Sequence, residues 1–566
     1  MTLIYLLLFN ILFIQKLISP IPKYNSPVDI PLYISGNFGE LRMDHFHSGI
    51  DIKTGGVSLK KVYSVEQGYI SRIKIQTNGY GKSLYINHPG GYTSVYGHLD
   101  SYNETIDEYV KEIQYNRKSY SIDVFPDKNA LLINRGEFIA LSGNSGSSDG
   151  PHLHFELRKS GTQKPVNPLK YGFEVKDRIP PRITSLFVYK LDSRMQINDT
   201  PVEYRINKLN GIYGIPASPV NIEGYAGFGV EINDYLDDSP NPCGIYTIEL
   251  SIDNKVIYLF KVDEFSFDES RYVNAHVDFA LEVLNNRQVH LLFRKPNNRL
   301  SMYPLMINDG KFNFQPNVKY PVIIRFTDDS GNESRLEFEV DGGAGSILSE
   351  NKKPNDKLIF NWDTNNYFEN SNVRLEIPKG ALYEKILFDY ARIFAGTGLY
   401  PYIHYIGNIS NPLHLSSNLS INADMIPDSL RKYTVFLRLI ENKDPSSMEG
   451  TWNGDWISSQ ILNFGKYTLG IDTIPPEIIP LNLVPGDTLI SQEEIQFKVT
   501  DNLSGIEEYK GILDNSWALF EYDPKNEMVL YKFDKKRMKN GISHKLELSI
   551  KDAVGNQSDY HCGFFW

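Results

Sequence analysis

Short runs in which apolar and polar residues alternate recur along most of the chain, each closed by Gly, Pro, Asn or Asp. "HLHFEL" at 152–157, "RLEFEV" at 335–340 and "VRLEIP" at 373–378 are examples. A period of two places alternate side chains on opposite faces, so these runs predict strands with one apolar face. "NGYG" and "HPGG", inside the stretch "EQGYISRIKIQTNGYGKSLYINHPGGYTSVYGHL", are hairpin punctuation. One stretch breaks the pattern. In "ETIDEYVKEIQYNRKS", Ile106, Val110 and Ile113 recur at helical spacing, which predicts a short helix over 106–116 between two strands. The expected fold class is mainly β: a small antiparallel β domain at the N-terminal end, followed by three β-sandwich-like modules.

The module count comes from an internal repeat. "DRIPPRITSL" at Asp177 matches "DTIPPEIIPL" at Asp472, and "DDSGNESRLEFEV" at Asp328 matches "DAVGNQSDYHCGF" at Asp552. Between them, "DYLDDSPNPCGIYTIEL" resembles "DNLSGIEEYKGIL". Each copy opens on a Pro-Pro linker and closes on an Asp-x-x-Gly-Asn turn and a strand, a β-sandwich pattern. The expected units are 28–176, a domain with chemistry; 177–342, an immunoglobulin-like module with an insertion; 343–356, a linker; 357–471, a β-rich module; and 472–566, a second immunoglobulin-like module. A chain of 566 residues is too long for one core, in keeping with this division.

Composition narrows the function classes. The net charge is -11 with no basic block, which argues against a nucleic-acid partner. The two cysteines, Cys243 and Cys562, fall in different units, so this is no disulfide scaffold. The first residues, "MTLIYLLLFNILFIQKLISP", carry an apolar run from Leu3 to Ile14, too short for a comfortable membrane span. Residues 1–19 are expected to be a secretory signal or N-terminal anchor, with no transmembrane span after it. That places the protein across the inner membrane, periplasmic or associated with the cell envelope. The acidic turns of the repeat fit no calcium-loop spacing and read as solvated turns.

Six of the twelve histidines fall between His45 and His154. They occur in "HFHSGIDIKT", "YGHL" and "GPHLHFEL", with His88 in a hairpin turn. Zinc takes about four ligands at roughly 2 Å, and with no cysteine here His and Asp must serve. His47 and Asp51 would be about 13 Å apart on a straight strand, so "HSGID" must bend at Ser48-Gly49, where glycine relaxes the dihedral limits. This loop and one imidazole of the His-x-His strand give a His/Asp/His site with its fourth position open for water. By alternation Glu156 shares the histidine face and reads as a solvated strand residue. His45 reads as a structural or groove-wall residue. Gly143, Gly146 and Gly150 read as backbone turns beside the cleft.

"HSGID", "YGHL", "GNSGSSDGPHLHFEL" and the closing "VNP" at 166–168 resemble the lysostaphin/LytM-type zinc metallopeptidases, over about residues 30–175. The resemblance implies a small antiparallel β fold, one Zn²⁺ and hydrolysis of peptide bonds in bacterial peptidoglycan cross-links or stem peptides. It implies His47, Asp51 and His154 as metal ligands, and His98 and His152 as the catalytic histidines. The long stretch between His98 and Gly143 departs from a minimal member and is expected to wall part of the groove. The β-sandwich modules are expected to space the enzyme or bind an envelope partner. The alternative function is a non-catalytic docking or activator protein that uses the same fold for binding.

Overall fold

The computed structural model describes residues 22–566 apart from 193, 198–199, 217, 344–357, 397–399 and 490. The expected signal segment, 1–19, and nearly all of the expected linker, 343–356, lie outside the described residues. Among the described residues no helix is long and apolar enough to cross a membrane.

The chain is mostly β, as the alternation predicts. The N-terminal domain is built on one sheet. Its strands run in the order Ile34–Gly36, Ile50–Lys53, His152–Lys159, Tyr92–Tyr102, Lys82–Asn87, Gly68–Ile75 and Leu132–Ile133, all paired antiparallel. Ile50, Ile52, Leu84, Tyr96, Leu153 and Phe155 are fully buried in its core. The helix forms at Glu104–Arg117. Asn103 caps it by accepting from the Ile106 amide, and Ile106 and Val110 face inward.

Residues beyond 177 form pairs of sheets that share a core. One apolar cluster joins Leu186, Val188 and Phe228 of the first pair's six-stranded sheet to Leu250, Phe326 and Leu336 of its eight-stranded sheet. Phe38, Leu41 and Phe46, from the N-terminal domain, belong to this second core. The short helices Phe267–Ser270, Val273–His276 and Phe279–Asn285 account for part of the insertion. Two five-stranded sheets follow, then two four-stranded sheets, each pair with its own core. Cys243 and Cys562 are buried free thiols.

The last module folds back onto the N-terminal domain. The Tyr115 ring meets Trp517 edge-on, with centroids 5.1 Å apart, and the Arg537 guanidinium lies 4.0 Å from the Tyr115 ring centre. Lys536 pairs with Glu108. The helix expected to wall the groove is thus a contact to the last module. Lys82 Nζ lies 2.8 Å from Glu521 Oε2, and both side chains are largely buried. Burial alone would raise the Glu521 carboxyl, but Lys82 and then Lys532 outweigh it and hold the group below its ordinary range. The pair's stabilisation is therefore complete above the unfolded carboxylate value of about 4.3 and is lost as pH falls through the lower folded value. Lys82→Met strips buried Glu521 of its nearer cation and leaves Lys532 Nζ 3.9 Å from Oε1, so the loss stays below the about 3–5 kcal/mol of a wholly uncompensated buried charge. Hydrogen exchange should then accelerate in 82–87 and 516–532 and stay unchanged in 402–471. Unchanged exchange at the first two segments would show that docking does not depend on this pair.

Candidate metal centre and its surroundings

Sheet register assembles the site. His154 pairs directly with Asp51 on one neighbouring strand and with Gly97 on the other. Directly opposed residues in antiparallel strands present their side chains to the same face. His47 enters from the turn before Ile50–Lys53, as the expected bend requires. The glycine works differently from expectation, however. Gly49 has no positive φ; instead a Cβ there would stand 2.3 Å from the Phe155 carbonyl oxygen. Its role is close approach of two backbones, so that His47 can turn back over the strand.

Three donor atoms converge. His47 Nε2 lies 3.1 Å from Asp51 Oδ1 and 3.1 Å from His154 Nδ1, and His154 Nδ1 lies 2.8 Å from Asp51 Oδ1. Tetrahedral zinc with bonds of about 2.0–2.1 Å holds its donors roughly 3.3 Å apart, so the triangle fits that ion with a small expansion. All three side chains are buried.

The remaining polar atoms of these residues are tied off outward. The His47 Nδ1–H donates to the Asn37 carbonyl at 2.8 Å, which turns the Nε2 lone pair to the centre. His154 Nε2 lies 3.0 Å from Glu156 Oε1, leaving Nδ1 for the centre. Arg42 Nη2 lies 2.5 Å from Asp51 Oδ2, which leaves Oδ1 facing the imidazoles. Such outward bonds set ring tautomers and ligand basicity.

Glu156 corrects the sequence reading. It is fully buried, not solvated. It accepts from Ser48 Oγ at 2.7 Å, from Tyr80 OH, and from Arg158 Nε at 2.5 Å. The Tyr80 ring stacks on His154 with centroids 5.0 Å apart. Burial opposes the Glu156 charge, but Arg158 and His154 outweigh it and hold the carboxyl far below its ordinary value. The Asp51 carboxyl is likewise held well below its range, by His47, His152 and His154 against the effect of burial.

His152 and His98 flank the triangle. His152 Nε2 lies 3.4 Å from Asp51 Oδ1, and the His152 Nδ1–H donates to the Gly150 carbonyl at 2.8 Å. The His98 Nδ1–H donates to the Ser145 carbonyl at 2.8 Å, and the two rings are 4.8 Å apart. His98 has φ +58, the left-handed region that non-glycine residues seldom occupy, and it sits where the strand register slips against Lys82–Asn87. Irregular backbone of this kind re-aims a side chain at a site. Burial, then the neighbouring His154 and His152, push His98 down to about 3, so it is neutral at ordinary pH.

The structure keeps His45 and His88 apart from the centre. His45 is exposed, with Nδ1 2.9 Å from the Met43 carbonyl. His88 is buried between the Gln67 carbonyl and Ser94 Oγ, at 2.9 and 2.8 Å. Gly143 is not the expected turn but bridges His152, and Gly146 lies in a bend; a Cβ would come within 2.5 Å of Asp100 N at the first and 2.3 Å of Gly81 N at the second. Gly150 faces open space. The sequence reading missed Arg42, Ser48, Tyr80, Arg158 and Asn37. Only Glu156 carried a signal, since alternation already placed it on the histidine face.

Other modules buttress the centre. The Asn37 side chain bonds Gly244 through both its amide nitrogen, to the carbonyl at 2.9 Å, and its oxygen, from the amide at 2.7 Å. Asn37 Nδ2 and Asn167 Nδ2 both donate to the Asp329 carboxylate, at 3.2 and 2.6 Å. From the last module, Lys525 Nζ donates to the carbonyls of Asn144 and Ser148, in the loop whose Ser145 carbonyl orients His98.

Residues 45–115 match Peptidase family M23, and residues 357–472 match the Zu5-like domain. An uncharacterized metalloprotease of Haemophilus influenzae is 31% identical over 123 residues, 22% of this chain and 20% of that protein. The peptidoglycan DD-endopeptidase ShyA of Vibrio cholerae is 38% identical over 63 residues, 11% of this chain and 14% of its own length. The chain thus spans about a fifth or less of the curated relatives it matches. A crystallised zinc-containing peptidase from Vibrio cholerae superposes with a TM-score of 0.20 at 28% identity, covering 26% of this chain and 39% of that one.

Arg42→Gln removes the ion pair on Asp51 Oδ2 and frees that carboxylate to rotate. Zinc affinity, measured by competition with a chromogenic chelator, should fall about 10–100-fold with the circular dichroism spectrum unchanged. Unchanged affinity would show that Asp51 is held without Arg42.

Proposed function

With an M23 peptidase domain in its N-terminal third, we propose that this protein is a zinc-dependent endopeptidase that cuts peptide bonds in bacterial peptidoglycan, in cross-links or stem peptides. The observation that carries the reading is the triangle of His47, Asp51 and His154 donors, each with its other polar atom bonded outward. That donor set, two imidazole nitrogens and one carboxylate oxygen, fits a catalytic zinc centre with an open position. Bound there, zinc would supply Lewis-acid polarisation of the scissile carbonyl and ready ionisation of water.

The chain's own residues supply the rest. His152 and His98 each spend Nδ1–H on a backbone carbonyl, which leaves the Nε2 lone pair for proton transfer, that of His152 lying 3.4 Å from Asp51 Oδ1. One would take the water proton and the other would hydrogen-bond the developing oxyanion or deliver a proton to the departing amine. Lys525 would keep the 143–151 loop, and through it His98, in register. The names of the relatives favour a D,D bond as substrate. Peptidoglycan lies outside the inner membrane, so the apolar segment at residues 3–14 would serve export, and the protein would work in the periplasm or at the envelope. The β modules would space the catalytic domain or bind an envelope protein.

The test is mass spectrometry of muropeptides after purified peptidoglycan is incubated with the zinc-loaded chain. New peptide ends should appear and identify the bond. His154→Ala should lose zinc and cleavage together. His152→Ala should keep zinc and lose at least about 10²-fold in turnover, the usual contribution of a proton-transfer group. An unchanged muropeptide profile from the zinc-loaded chain would overturn the enzyme reading and leave the docking or activator protein.

A further inference from the structure

Two trios of aspartates lie away from the histidines, one in each copy of the repeat, and the acidic turns are not solvated as the sequence suggests, since Asp234, Asp328, Asp472 and Asp552 are buried. Asp177, Asp234 and Asp328 bring carboxylate oxygens within 4.8 Å of one another, and so do Asp472, Asp501 and Asp552. The positions correspond. Asp177 and Asp472 open the Pro-Pro linkers, Asp328 and Asp552 open the Asp-x-x-Gly-Asn turns, and Asp234 and Asp501 open the resembling middle segments.

The Asp-x-x-Gly-Asn turns of the two copies share the same hydrogen bonds. Asp328 Oδ1 accepts from the Ser330 and Asn332 amides, both at 2.9 Å, and Asp552 Oδ1 from the Val554 and Asn556 amides at 3.1 and 2.7 Å. Asn332 Nδ2 donates to Asp328 Oδ2 at 2.8 Å and reaches the Asp177 carbonyl at 3.4 Å. Asn556 Nδ2 does the same with Asp552 Oδ2 at 2.7 Å and the Asp472 carbonyl at 3.1 Å.

What these bonds leave over points to a ligand. Asp234 is 1% exposed, yet its Oδ1 has no hydrogen-bond partner. In the second trio Asp501 Oδ1 is unpartnered, as is the Oγ of buried Ser504, whose amide donates to Asp472 Oδ2 at 3.0 Å. A buried carboxylate oxygen without a partner is unfavourable, and native proteins seldom keep one. Two equivalent sites with the same leftover oxygen argue against accident. The donors are all oxygen, three of them carboxylates, which selects a hard cation, and calcium tolerates irregular shells of six to eight oxygens.

We propose that each aspartate trio binds one calcium ion, and that the two ions fix the joints between modules. Asp177 directly follows the peptidase segment, and Asp472 directly follows the module ending at residue 471. The first ion would sit beside Asp329, the residue that holds Asn37 and Asn167 of the peptidase domain. At the second joint, Ser447 Oγ of the preceding module donates to the Ser504 carbonyl at 2.9 Å.

Calcium chloride titrated calorimetrically into the zinc-loaded full chain tests this without reference to hydrolysis. The expected result is two equivalents, with Kd near the 10⁻⁴–10⁻³ M typical of extracellular modules, and a melting temperature that rises with calcium. Asp234→Asn and Asp501→Asn should each leave one equivalent. If either variant fails to fold, terbium luminescence of the unaltered chain decides. Emission that saturates at two ions and is displaced by calcium supports the sites, and its absence overturns them. No heat and no melting shift at about 10 mM calcium, tenfold above the weakest expected Kd, would also overturn the proposal. So would two equivalents that survive in both variants.

Discussion

Two imidazole nitrogens and a carboxylate oxygen, 2.8 to 3.1 Å apart and buried, form the constraint around which the N-terminal domain is organised. The atoms are too close and too dry to be held by their own attraction in one fixed geometry. Each is held from behind instead: His47 by the Asn37 carbonyl, His154 by Glu156, Asp51 by Arg42. Glu156 in turn needs Arg158, Tyr80 and Ser48, because a buried carboxylate is tolerable only when its lone pairs are filled and its charge is matched. The polar network under the triangle is therefore as much a condition of the site as the three donors.

Much of this was legible in the sequence, in proportion to how local the cause is. Alternation gave the strands, and helical spacing gave Glu104–Arg117 to within two residues at either end. His47, Asp51 and His154 could be brought together on paper because one bend and one strand pairing suffice. Glu156 could not, because alternation tells which residues share a face and not what covers that face. The histidine face turned out to be roofed by Tyr80 and Ser48, from segments 76 and 108 residues away. Arg42 and Asn37 were illegible for the same reason. Their partners are set by how loops cross in space, and no local period encodes that.

The role of glycine shows the same division. "HSGID" had to turn for His47 and Asp51 to meet, and the turn is there. Its cause lies outside the motif, in the Phe155 carbonyl that a side chain at residue 49 would strike. His98 is the converse case. It is a non-glycine residue in the left-handed region, held by a hydrogen bond from its backbone N–H to the Tyr80 carbonyl at 2.9 Å and by the Ser145 carbonyl on its ring. A strained residue persists only where its surroundings over-determine it, and here the surroundings are the 143–151 loop and Tyr80 itself.

Those surroundings do not end at the domain boundary. Phe38, Leu41 and Phe46 leave the core of their own domain for that of the following module, and Asn37 beside them is bonded to Gly244 and Asp329. The His47 side of the triangle is thus anchored in the second module. The His98 side rests on a loop that Lys525 grips from the last module. Two halves of one centre are braced by two different β modules, so the geometry of the centre belongs to the assembled chain. The motif-bearing segment carries the donor atoms, while the second module anchors the Asn37 turn behind His47 and the last module anchors the loop behind His98.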